Sequence, residues 1–178
     1  MPCNAVKQFE MDLCQANLGG IKAIWLANYV EGAAQVSTES DATEGVITGF
    51  TSGVTWTRYP MRKNAASMTS TLNTSTDGAV YVSTELVMNF SRMEAPKRLA
   101  IQALALGECM ALVEDSNGTI YFLGKDEPVT CTAGSGQTGQ AKTDANQYSI
   151  TLTDESMEYP FTVAATLRPS EGDEDGGE

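Results

Sequence analysis

The 178-residue chain predicts a mainly β (α+β) protein, with strands in the majority and one helix set against them. Three observations carry that expectation. Thr, Ser, Asn, Gln and Gly are abundant while charged residues make up only 19% of the chain, a polar but weakly charged balance suited to β-structure. Apolar and polar residues alternate with period two in several stretches, bounded by Gly, Pro, Asp-Gly and Asn-Gly. Helical spacing is convincing in one place only, EAPKRLAIQALALG.

Taken in chain order, GGIKAIWLANYV puts Ile21, Ala23, Trp25, Ala27 and Tyr29 on one face and Lys22, Ile24, Leu26 and Asn28 on the other. Both faces carry apolar side chains, so this is a long strand buried on much of both sides. Residues 31–45 are polar and read as a flexible loop. VITGF and VTWTRYP follow as two short strands joined at Thr51-Ser52-Gly53, a hairpin that Pro60 ends.

The stretch 65–91 predicts the largest hairpin, turning at Thr76-Asp77-Gly78, where Asp-Gly supplies the positive backbone angles of a tight turn. Its faces differ. Met68, Leu72, Val80, Val82, Leu86, Met88 and Phe90 make one side apolar; Ser67, Thr69, Thr71, Asn73, Tyr81, Ser83, Glu85, Asn89 and Ser91 make the other polar. The helix takes Pro96 in its first turn, repeats Leu99, Ala103 and Leu106 at i, i+4, i+7, and stops at Gly107. CMALVEDSNGTIYFLG returns to strands through Asn117-Gly118. Residues 125–146 read as a long glycine-studded connection, and the last strands fall at 147–153 and 157–166, with Tyr159-Pro160 suited to a sheet edge.

One domain over 1–167 accommodates these elements. SEGDEDGGE, within a distinct acidic tail spanning 168–178, has too little apolar surface to order itself. Lys plus Arg number 11 against 23 Asp plus Glu, a net charge of −12, which argues against a protein that holds nucleic acid by neutralising phosphates. The first twenty residues show no apolar block, and IQALALGECMALV is interrupted by Glu108, so neither a signal peptide nor a membrane span is expected.

AGSGQTGQ spaces Gly134, Gly136 and Gly139 as G-x-G-x-x-G, which in a dinucleotide site must open a helix. Here Tyr148, Ile150 and Leu152 alternate downstream with Ser149, Thr151 and Thr153, a strand pattern. Gln140 also stands where a phosphate loop needs lysine. No cofactor is expected. The chain has four cysteines, no C-x-x-C pair and no histidine, which disfavours zinc and removes every histidine-based catalytic triad. Cys3 and Cys14 could meet across an N-terminal turn, though reduced thiols are the plainer reading, with Cys109 in the core. Glu114–Asp115, Asp126–Glu127 and Asp154–Glu155 fall at expected turns and read as solvated charges. No metal site and no enzymatic activity are expected.

The order of pieces, Cys3…Cys14 leading into Gly19-Gly20-Ile21-Lys22, a long polar hairpin, a helix, then LVEDSNGTIYFLG and TGQAKTDANQYSITLT, resembles the tail tube (major tail) proteins of long-tailed bacteriophages. The likeness is greatest to a group from phages of Bacteroidetes hosts and covers about 1–166; Gln147 stands where that group leads one to expect glycine. The resemblance implies an antiparallel β-barrel or sandwich flanked by one helix, hexameric rings of the chain itself stacked into a hollow tube, and a place in the virion after synthesis in the bacterial host cytoplasm. It implies contacts with other tail proteins (tape measure, terminator, baseplate or tip), transient non-specific passage of DNA and no membrane. Ser67, Thr69, Thr71, Asn73, Ser83, Glu85 and Asn89 would then face the lumen, with Leu72, Val82, Leu86 and Met88 toward the subunit core. Segments 31–45 and 125–146 would be arms to a neighbour, the latter crossing a subunit boundary on Gly134, Gly136 and Gly139. The alternatives are a tail-terminator or head-completion ring protein, and a β-sandwich carbohydrate-binding module, which needs an exposed aromatic platform where the strand patterns of Trp25 and Trp56 favour the core.

Overall fold

A computed structural model of the chain describes residues 17–37, 45–59 and 61–169. Cys3 and Cys14, Pro60, most of the acidic tail and the middle of the 31–45 loop lie outside the described residues. The strands in order are β1 (Ile21–Asn28), β2 (Ala34–Val36), β3 (Val46–Phe50), β4 (Thr57–Tyr59), β5 (Ala66–Thr74) and β6 (Val80–Ser91). After helix α1 (Ala95–Leu106) come β7 (Cys109–Asp115), β8 (Ile120–Leu123), β9 (Thr130–Gln137), β10 (Gln147–Ser156) and β11 (Phe161–Val163). They form two sheets, a seven-stranded one ordered β2-β3-β11-β8-β7-β1-β4 and a four-stranded one ordered β5-β6-β10-β9. Neither closes on itself. The architecture is a β-sandwich-like α+β fold, not a barrel.

Why the sheets face each other follows from alternation. Ile24 and Leu26 of β1, Ala111 and Val113 of β7 and Leu123 of β8 pack on Leu86 and Met88 of β6 and Ile150 and Leu152 of β10, all nearly inaccessible to solvent. Each such aliphatic side chain contributes about 1.5–3 kcal/mol by leaving water. The opposite face of the large sheet is buried too. Ala23, Trp25, Met110, Leu112, Ile120 and Phe122 lie under Val54 and Trp56 of the β3–β4 connection and under Leu167. Two-sided burial explains why β1 and β7 read as nearly continuous apolar runs.

The 65–91 hairpin forms, with Thr69 opposite Glu85 and Thr71 opposite Ser83, and Gly78 takes φ +85° in its turn. Asn117-Gly118 likewise joins β7 to β8, Gly118 at φ +89°, with Asp115 Oδ1 accepting from the N–H groups of Asn117 and Thr119.

Several expectations are corrected. VITGF and TRY do not pair: β3 lies between β2 and β11, while β4 adds to β1. Phe50, Trp56 and Phe122 meet in edge-to-face and tilted contacts, with ring centroids 5.3–6.5 Å apart, and carrying Trp56 to that cluster draws the chain across the large sheet instead of back along β3. The 125–146 connection contains β9, paired along β10 from Gln147–Gln137 to Thr153–Thr130. β11 is short and sits inside the sheet, not at its edge, because Pro160 precedes the strand and withholds no ladder hydrogen bond. Helix α1 turns Lys97, Ile101 and Leu104 inward. Leu99 and Leu106 of the expected core stripe are 59% and 84% exposed.

A hydroxyl-rich sheet face as the candidate functional surface

Sheet pleating divides the small sheet into one face toward the core and one toward solvent. On β6, Val82, Thr84, Leu86 and Met88 are buried while Glu85 is exposed. The outward residues of β5 are Ser67, Thr69, Thr71 and Asn73, and those of β6 include Ser83, Glu85 and Asn89. These named candidates therefore share one surface. Leu72 does not join the core with Val82, Leu86 and Met88: it is 52% exposed, as is Val80 at 53%, because the hairpin tip outruns the large sheet that would cover it.

Two further strands, which sequence reasoning did not assign to this surface, extend it. β10 places Ser149 beside Asn89, Thr153 beside Glu85 and Glu155 beside Ser83; β9 adds Ser135 beside Ser149 and Gln137 beside Gln147. Their signal was the Ser149, Thr151, Thr153 alternation, which marks a polar face without saying which strand it adjoins. Glu85 thus lies between Thr69 and Thr153, and Thr132 and Thr153 hydroxyls meet at 2.7 Å. None of the four strands contains lysine or arginine. A hydrogen-bonding, weakly acidic plane without cations can hold water and gives a phosphate chain nothing to grip.

Gly134, Gly136 and Gly139 serve distinct local purposes. Gly134 and Gly136 lie in β9, where a side chain on Gly136 would meet the Met93 methyl at 2.9 Å and the Tyr148 ring at 3.0 Å. Gly139 has φ +71°, and a side chain there would collide with Asp144, whose carboxylate accepts from the Gln140 and Ala141 N–H groups at 2.8 Å each. Those two hydrogen bonds hold Asp144 below the usual carboxylate range. No helix follows the motif.

Two carboxylates expected at solvated turns are buried in strands. Glu114, at the end of β7, is 3% exposed; Lys22 Nζ lies 2.9 Å from Oε1, and Arg168 Nη2 lies 2.9 Å from Oε2 in an ion pair without a well-aligned hydrogen bond. Arg168 also stands 5.8 Å from the Trp25 ring, so the folded body continues past Leu167. Asp154 of β10 is 2% exposed and accepts from the Gly124 N–H at 3.0 Å. Burial pushes its pKa up to about 6 against that hydrogen bond, with Asp126, Glu127 and Glu155 adding to the rise. Opposite it, Thr84 is buried with its hydroxyl 2.8 Å from that of Ser70. Cys109 is in the core as expected, its thiol directed at the Val129 carbonyl and raised to about 12 by burial.

An apolar cavity of about 560 Å³ opens between α1, β4 and the end of β6, walled by Tyr59, Phe90 and Ile101 with Arg62, Arg92 and Lys97 among its lining. Among the described residues no group of three or more acidic or thiol side chains could hold a metal ion, and no helix is long and apolar enough to cross a membrane. Comparison with protein-family models, curated proteins and solved structures finds no match to this chain.

Proposed function

We propose that the chain is a structural virion subunit that assembles with itself into hexameric rings stacked as the hollow tail tube of a long-tailed bacteriophage. The observation that carries this reading is the outer face of the four-stranded sheet: continuous, hydroxyl-rich, free of cations, and bounded by β5 and β9, each with one edge unpaired among the described residues. Open edges favour association with further chains, and a head-to-tail contact that closes by rotation makes rings. Repeated around a channel, the face lets DNA pass without binding its phosphates, since releasing counterions to lysine or arginine would make the wall adhesive. The exposed hairpin tip with Leu72 and Val80 and the outward stripe of α1 offer apolar area for neighbouring copies.

Trp25 is buried and Trp56 is half-buried in an aromatic cluster, which weakens the carbohydrate-module alternative, because a sugar platform needs an exposed ring. Electron microscopy of the purified protein separates the readings. Long tubes are the expected result; single rings would favour a terminator or head-completion role, and small uniform particles would overturn self-assembly.

A further inference from the structure

The cations of this acidic chain are unevenly placed. A groove of about 310 Å³ beside β1 is lined by Ile21, Lys22, Met61, Arg62, Lys63 and Ser116, three bases and no acid. Arg62 and Lys63 are exposed, and neither has an ion pair among the described residues. Lys22 belongs both to this groove and to the ion pair with Glu114, and Arg168 reaches the other oxygen of the same carboxylate. The described chain therefore ends, at Pro169, one residue past an arginine that shares the Glu114 carboxylate with Lys22, a residue of the groove.

Beyond Pro169 the chain runs on as Ser170–Glu178, with Glu171, Asp173, Glu174, Asp175 and Glu178 and no base. Nine such residues span up to about 30 Å when extended. We propose that this acidic terminus docks on its own chain's basic groove, its carboxylates ranged against Lys22, Arg62 and Lys63. Three arguments converge: the signs are complementary, the tether starts next to Arg168, which shares Glu114 with Lys22, and a short tether holds the tail at an effective concentration on the order of millimolar. That concentration suffices for an association built from exposed ion pairs, each individually weak. The docking does not depend on tube formation, and it gives the chain a self-occupied basic surface that would otherwise attract acidic segments of other molecules.

Carbodiimide coupling of the full chain at low ionic strength, followed by peptide mass mapping, tests it. The expected result is amide formation between Lys63 and the tail carboxylates within a single chain, at least about fivefold above coupling of the same carboxylates to exposed Lys142, and lost in 1 M salt, where screening acts over about 3 Å. Arg62→Gln, which leaves the reactive amine of Lys63 in place, should reduce the yield severalfold. Equal coupling to Lys63 and Lys142, an Arg62→Gln yield like the parent's, or Lys63–tail links found only between chains would overturn the proposal.

Discussion

Glu85 and Leu86 are neighbours in sequence and opposites in surroundings, one exposed among hydroxyls and the other wholly buried. Leu86→Lys should abolish folding, because an unpaired buried charge costs several kcal/mol against a total stability on the order of 5–15 kcal/mol. Glu85→Lys should change the unfolding free energy from urea melts by about 0.5 kcal/mol or less, yet in the proposed tube it should retain DNA in a salt-dependent way. The reverse pattern of stabilities would show the register wrong by one residue. Asp154 supplies a pH test. Its folded pKa of about 6 lies above the ordinary 3.8, so the folded state binds the proton more tightly. Its contribution is fully present below about pH 4 and is lost as pH rises through 6, a change of about 3 kcal/mol at most. Asp154→Asn keeps an acceptor for the Gly124 N–H. It should flatten that fall in stability and raise the pH 7 midpoint; an unchanged slope would assign the dependence to other groups. At Gly136, exposed in the edge strand, alanine would displace the flexible Met93 methyl and press on the Tyr148 ring, at a cost of about 1 kcal/mol or less. At Gly134, whose nearest neighbour would be the Ser149 carbonyl at 3.8 Å, alanine should be nearly neutral in the same melts.

Elements were legible where each residue reports its own surroundings. The 80–90 alternation gave both the strand and its buried side, because Val82, Leu86 and Met88 fall on one face by counting alone. Leu72 failed because whether a strand outruns its partner sheet is written in that sheet's length, not in the strand. β9 failed for a related reason: Thr, Ala, Gly and Ser along an edge have little to bury, and only pairing with β10 makes them a strand. The helix carries two apolar stripes, Leu99-Ala103-Leu106 and Ile101-Leu104, and the packing of α1 beside β9 selects the second. Glu114 and Asp154 looked like turn acids because their strands run two and four residues beyond the last apolar position. Hydrogen exchange tests β9 directly. Amides bonded to β10 should be protected in the free subunit, and the alternate, outward amides should slow only in the assembled form; uniform protection in both would remove β9 from any interface. Leu99→Gln and Leu106→Gln should leave the free subunit's melting temperature within about 2 °C while weakening assembly, whereas Ile101→Gln should lower it.

For the molecule as a whole, the sandwich divides labour between its sheets. The large one is buried on both faces and supplies stability; the small one gives one face to the core and keeps the other free. Its composition has a practical consequence. With no lysine or arginine from Asn64 to Ser91, and none between Lys125 and Lys142 or between Lys142 and Arg168, trypsin can cut only around the small sheet, never within its four strands. Amine-directed labels are likewise confined to its surroundings. A fully acylated protein should therefore still present an unmodified polar face, and in the unmodified protein one long tryptic peptide, Asn64–Arg92, should carry the whole hairpin in a single mass.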